Sequence, residues 1–147
     1  MDDNKKKIAF IINPISGTQG KEHILKWLDE KLDKNRYMPE VIYTEWAGHA
    51  VEIAARKAKE EVFAVVAIGG DGTINEIARS LVHTKTALGI IPCGSGNGLA
   101  RHLQIPMEAK KAIDIINEGL IDIIDYGKIN DVPFFCTCGV GFDAFVS

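Results

Sequence analysis

The chain has 147 residues, 46% of them hydrophobic and 25% charged, with a formal net charge of −3. This is length and apolar content enough for one globular domain with a real core. The slightly acidic balance excludes the broad basic field of a nucleic-acid binder, and the apolar runs are too short to cross a bilayer.

The N-terminus, MDDNKKK followed by IAFII, has a positive cluster but too short an apolar region and no small-residue cleavage site. It reads as a solvated end and a first strand, not as a signal peptide. That strand spans Lys7–Asn13, and its unbroken apolar run suits burial on both faces, as in a parallel sheet. It stops at Asn13-Pro14-Ile15-Ser16-Gly17-Thr18-Gln19-Gly20, a loop of turn formers whose backbone N–H groups and Ser16 hydroxyl could hold a phosphate oxygen. No GxxxxGK[ST] loop can be read here. A helix follows with Ile24, Leu25, Leu28 and Leu32 on one face and Trp27 packing beside them.

Pro39–Thr44 reads as the second strand. A turn at Glu45–Gly48 leads into a helix with Ala50, Val51, Ile53, Ala54 and Ala58 on its apolar face. His49 at its start reads as a capping or solvated residue, because a lone histidine needs a partner to be catalytic.

The most informative stretch is FAVVAIGGDGTINEIA, Phe63–Ala78. Phe63–Ile68 is a buried strand by length and β-branched content, and Ile74, Ile77, Ala78, Leu81 and Val82 recur at helical spacing. Between them lies Gly69-Gly70-Asp71-Gly72-Thr73. The glycines allow a sharp turn and close backbone approach to a ligand, and the helix behind points free N–H groups at the turn. That is a place for phosphate. Asp71 beside phosphates calls for a bridging cation or a proton to transfer. Glu76 lies one helical turn beyond Gly72 and could look back to the site or stand in solvent.

Thr86–Ile91 is the fourth strand, followed by Pro92 and the polar, glycine-rich Cys93–Asn97 loop. A short helical piece, Gly98–Leu103, comes next. Pro106 marks a helix start, Ala109, Ala112, Ile113 and Ile116 give that helix an apolar face, and Gly119 ends it. Leu120–Asn130 and Pro133–Val146 then read as extended segments joined at Asn130-Asp131, a hairpin signal. The fold expected is α/β: an open, mostly parallel sheet with helices on both faces over residues 1–125, then the truncated beginning of a β-rich second domain over 126–147. The three cysteines, Cys93, Cys136 and Cys138, lack a disulfide framework and point to a reducing compartment and ordinary thiols.

GGDGTINE resembles the signature of the diacylglycerol kinase catalytic-domain family, which includes sphingosine kinases and bacterial lipid kinases. GGDGT alone is shared with NAD kinases and is similar to the phosphofructokinase motif. Asn13, Pro14, Ser16 and Gly17 match the family's NPxSG segment. Thr44 with Gly48-His49-Ala50 matches a threonine and a GHA-like helix start, where the threonine could bond ribose or phosphate. Pro92-Cys93-Gly94-Ser95-Gly96-Asn97-Gly98-Leu99-Ala100-Arg101 resembles P-x-G-[ST]-G-N-x-x-A. Many diacylglycerol kinases have an aspartate where this chain has Gly98, and sphingosine kinases tend to have a small residue there, which leaves the acceptor open. Arg101 could neutralise phosphate or pair at the surface.

The resemblance implies an ATP-dependent lipid kinase. Phosphate would pass from Mg-ATP to a primary hydroxyl of a lipid such as diacylglycerol or a sphingoid base, in a cytoplasmic protein that visits the membrane surface transiently. It implies that Gly69, Gly70, Gly72, Thr73, Gly94, Ser95, Gly96 and Asn97 hold the nucleotide together with Asn13, Pro14, Ser16, Gly17 and Thr44. Asp71 would be the catalytic residue, as a base or as organiser of the Mg²⁺ shell. Asp125 would join the metal directly or through water, and Asp143 in the GxGFDA-like stretch Gly139–Ala144 would contact the lipid. Asp122 reads as a surface carboxylate. The chain is expected to be the nucleotide-binding part of a longer protein, and alone to bind nucleotide weakly and transfer little or no phosphate. A sphingoid-base kinase, an NAD kinase and a non-catalytic nucleotide sensor are the alternatives. The oligomeric state, a homo-oligomer included, is left open.

Overall fold

Ile8, Phe10 and Ile12 point to one face of the sheet, Ala9 and Ile11 to the other, and all five are buried. This is why the run shows no alternation: a strand covered by helices on both faces needs apolar residues at every position. The computed structural model describes residues 5–14, 21–92, 109–118, 127–129 and 132–134. The strands are β1 (Lys6–Ile12), β2 (Tyr37–Tyr43), β3 (Ala64–Gly69) and β4 (Ala87–Pro92). The helices are α1 (Lys21–Lys31), α2 (His49–Lys59), α3 (Asp71–Leu81) and α4 (Ala109–Glu118).

The four strands form one parallel sheet in the order β2-β1-β3-β4. Ile24, Leu28 and Leu32 pack with Ala112 and Ile113 of α4 against Ile8, Phe10, Ile12, Val66, Ile68 and Ile91. On the opposite face, Ala50, Ile53 and Ala54 of α2 and Ile74, Ile77 and Leu81 of α3 cover Ala9, Ile11, Val65, Ala67 and Ile90. Each fully buried isoleucine here contributes roughly 1.5–3 kcal/mol of burial energy. The expected open parallel sheet with helices on both faces is the one observed.

Several boundaries differ from the sequence expectation. β2 begins at Tyr37 rather than Pro39 because Tyr37 is fully buried and its hydroxyl donates to the Ile116 carbonyl at 3.0 Å. Val51, expected on the apolar face of its helix, is exposed; the buried stripe of α2 runs through Ala50, Ile53, Ala54, Lys57 and Ala58. α4 is tied to the α1–β2 connection by Asn117. Its side-chain amide donates to the Lys31 carbonyl at 2.9 Å, and its side-chain oxygen accepts from the Asp33 N–H at 2.9 Å. That satisfies a carbonyl at the end of α1 that no helical bond reaches.

Two short strands, β5 (Gly127–Ile129) and β6 (Val132–Phe134), pair antiparallel, as the hairpin signal at Asn130-Asp131 leads one to expect. Among the described residues no helix is long and apolar enough to cross a membrane.

Candidate functional site

Because the strands are parallel and in register, their carboxyl ends form one edge. Ile12 pairs with Tyr43 and with Ile68, and Gly69 pairs with Pro92. The Thr44 N–H donates to the Ile12 carbonyl at 2.8 Å, carrying the ladder one step past β2. Asn13, Thr44 and Gly70 therefore leave the sheet side by side. β2 and β3 lie on opposite sides of β1, so the sheet reverses direction between β1 and β3. Among the described elements, α1, the helix next after β1, packs on one face of the sheet, and α3, the helix after β3, packs on the other. Where successive connections go to opposite faces of an open α/β sheet, the edge outside the strand ends is the usual crevice for a ligand.

The wall of that crevice on the β3 side is the start of α3. Gly70 is extended (φ −94, ψ −170) and caps the helix with no side-chain hydrogen bond. The first helical bond runs from the Ile74 N–H to the Gly70 carbonyl at 3.1 Å. The N–H groups of Asp71, Gly72 and Thr73 thus precede the helical ladder, at the positive end of the helix dipole.

The glycines have different reasons to be glycine. A Cβ on Gly69 would meet the Thr73 side chain, its Cβ at 3.2 Å and its Oγ1 at 3.3 Å. Gly69 therefore lets α3 approach β3. A Cβ on Gly72 would meet nothing within 4 Å, Gly72 is exposed, and its φ is not positive. Neither a positive φ nor close packing requires a glycine there, and the position is open beside the first turn of α3. Thr73, expected among the phosphate contacts, is buried and faces Gly69. Thr44 is also buried.

The turn from β2 into α2 borders the same edge. Gly48 takes the left-handed conformation (φ 85) that a side chain rarely adopts. His49 Nδ1 accepts the Glu45 N–H at 2.9 Å, a bond that ties the turn before α2. It does not cap the helix, whose N-cap Gly48 has no side-chain hydrogen bond, so the capping role expected of this residue is not the one it takes. Its ring stacks on Trp46 with centroids 3.6 Å apart and planes 15° from parallel. The Trp46 indole N–H donates to Glu52 Oε2 at 3.2 Å. Trp46 belongs to no motif; its only sign in the sequence is a large aromatic within a turn of the chain.

At the opposite end of α2, Lys57 is buried between Glu40 at 2.6 Å and Glu60 at 3.3 Å. The Glu40 hydrogen bond, against an opposing burial effect, holds its ammonium pKa above the ordinary 10.5. This pair is structural and lies away from the crevice.

Of the expected site residues, Asn13, Pro14, Thr44, Gly69, Gly70, Asp71, Gly72 and Thr73 fall within the described chain and gather at this edge. Ser16, Gly17, Gly94, Ser95, Gly96, Asn97, Asp125 and Asp143 lie outside the described residues, as do Arg101 and the three cysteines. Among the described residues no group of three or more His, Cys, Asp or Glu side chains is placed to hold a metal.

Comparison with known proteins bears on the family and the fold. The family model described as the diacylglycerol kinase catalytic domain matches residues 7–129. A protein named diacylglycerol kinase from Staphylococcus saprophyticus is 35% identical over 132 residues, covering 88% of this chain and 43% of that protein. One of the same name from Bacillus subtilis is 36% identical over 140 residues, covering 92% and 46%. The chain thus spans less than half the length of these curated relatives. A solved structure titled as a candidate diacylglycerol kinase from Bacillus anthracis aligns with TM-score 0.76 at 25% identity, over 89% of this chain and 48% of that one.

Proposed function

Since the chain belongs to the diacylglycerol kinase catalytic-domain family, we propose that it is the nucleotide-binding part of an ATP-dependent lipid kinase. The observation that carries this reading is the reversal of the sheet between β1 and β3, with the uncapped first turn of α3 and the open Gly72 position beside it. The α3 N–H groups supply fixed donors for phosphate oxygens, and Gly72 leaves room for them. The substrate is Mg-ATP and the acceptor a primary hydroxyl of a lipid, diacylglycerol first and a sphingoid base second.

In this reading the chain works by positioning and charge compensation, which dominate phosphoryl transfer. The donors at Asp71, Gly72 and Thr73 orient the phosphates against the helix end. Mg²⁺ is usually held by one or two carboxylates together with substrate phosphates, and would supply charge neutralisation. Asp71 is the carboxylate that the chain sets between Gly70 and Gly72, with Asp125 the second candidate. Asp71 would hold the metal's water shell or take the proton of the acceptor hydroxyl. Residues 126–147 begin the second, lipid-facing domain.

The test is transfer of labelled phosphate from ATP with Mg²⁺ to mixed micelles of diacylglycerol, monoacylglycerol, phosphatidylglycerol or sphingoid base, with NAD in parallel. The protein carrying the complete second domain is used, with Asp71→Asn as control. A labelled lipid that vanishes in the control is the expected result. Label on NAD alone, or bound ATP with no transfer to any acceptor, overturns the reading.

A further inference from the structure

We infer that Trp46, braced by His49, is the stacking platform for the base of the bound nucleotide. The inference rests on the nucleotide reading above and adds to it a residue that no motif marks.

Trp46 is 54% exposed, more than any other large hydrophobic residue among those described. An exposed indole of this kind is normally left to rotate. Here it is fixed three ways. His49 covers one ring face at 3.6 Å, the Glu52 carboxylate holds the indole N–H at 3.2 Å, and the Glu45 N–H holds His49 in turn at 2.9 Å. Gly48, in the left-handed region, lets the turn fold tightly enough to bring residues 46 and 49 together. An aromatic plane held rigid with much of its surface open is a pre-organised stacking surface, because little conformational freedom remains to be lost on binding.

Its place in the fold selects the ligand. Trp46 follows Thr44, whose N–H is bonded to the end of β1 at 2.8 Å. β1 alone separates β2 from β3 in the sheet. The β2 end is therefore two strand spacings, roughly 10 Å, from the phosphate-binding turn at the β3 end. A nucleoside triphosphate laid along this edge spans that gap, with its phosphates at Gly70–Thr73, its ribose near Thr44 and its base at Trp46. α2 and α3 pack side by side on the same face, so both turns open on one edge.

Charge favours this orientation over the opposite one. The platform carries the Glu52 carboxylate on its indole N–H, a negative charge that repels phosphate and equally an anionic lipid surface, while an uncharged aromatic base is accepted. The glycine turn, with helix N–H groups and room at Gly72, has the reverse preference.

The test compares ATP with inorganic tripolyphosphate, which has the phosphates and no base. Calorimetric binding to the full chain is measured for wild type, Trp46→Ala and Trp46→Phe. Trp46→Ala is expected to weaken ATP about tenfold, the scale of one stacking contact, and to leave tripolyphosphate within about twofold. Trp46→Phe keeps most of the ATP affinity. In a Trp27→Phe background, where Trp46 is the only indole, ATP quenches the emission and tripolyphosphate does not, a readout that does not depend on the alanine variant folding. ATP affinity unchanged in Trp46→Ala, or lost equally for both probes, overturns the inference and leaves the phosphate site standing. A wild-type chain that binds ATP no better than tripolyphosphate does the same. A wild-type chain that binds neither removes the nucleotide reading itself, and the inference with it.

Discussion

The Cβ that an alanine at Gly69 would carry lies 3.2 Å from Thr73 Cβ, whereas one at Gly72, three residues on, meets no atom within 4 Å. The two glycines of one turn thus serve different ends, and alanine separates them. Gly69→Ala pushes α3 off β3 and costs about 1–3 kcal/mol, the usual range for overpacking. Gly72→Ala leaves stability unchanged or raised by up to about 1 kcal/mol, since alanine is the better helix former. It also places a methyl group in the proposed phosphate site, and on that proposal ATP affinity is expected to fall at least about tenfold. Urea unfolding and calorimetry on both variants check the contrast.

Gly89 is a third case. Its partner across the ladder is Val66, and an added Cβ would sit 2.9 Å from Val66 Cγ2. Valine is stiff at χ1 and yields little. Gly89→Ala is expected to cost about 1–3 kcal/mol, and Val66→Ala in the same chain to recover part of the clash while adding its own cavity. A double-mutant cycle on thermal or urea unfolding measures the coupling; additive effects would contradict the contact.

α2 is closed off by Glu61, just past its C-cap Glu60, with φ 57; there the Val62 N–H donates to the Lys57 carbonyl at 3.3 Å and the Glu61 N–H to the Ala58 carbonyl at 2.9 Å. This is the bonding of a glycine-terminated helix, carried out by a residue with a Cβ. Glu61→Gly is expected to stabilise the fold by roughly 0.5–1 kcal/mol, the strain of a side chain in the left-handed region being removed. Chemical denaturation gives the sign.

Lys57 makes stability depend on alkaline pH. Its folded pKa lies above 10.5, chiefly because of the Glu40 hydrogen bond. A group raised in this way contributes fully below its unfolded pKa, and the contribution is lost as pH rises through the folded value. Lys57→Met keeps the buried stem and removes the charge. As pH rises from about 10 upward, wild type should lose stability more steeply than Lys57→Met. Parallel slopes would contradict the pairing with Glu40.

Much of this was legible in the sequence because it is local. The unbroken run Ile8–Ile12 announces a strand buried on both faces, and Gly69–Thr73 announces a turn into a helix. What the sequence withholds is non-local. Apolar runs do not say which strands are neighbours, so the reversal between β1 and β3 that locates the crevice appears only in the sheet order. Tyr37 precedes Met38-Pro39, and a proline argues against a strand. Its burial depends on Ile116, 79 residues away. Trp46 and His49 are close in sequence, but their stacking depends on the left-handed Gly48, which no periodicity reveals.

The most direct test is to follow backbone amide resonances of the full chain while adding Mg-ATP. Ligand in the crevice between β1 and β3 predicts the largest shifts at Asn13, Thr44 and Gly70–Thr73, with α1 and α4 little changed. Shifts concentrated on α1 and α4, or none at saturating nucleotide, would contradict it.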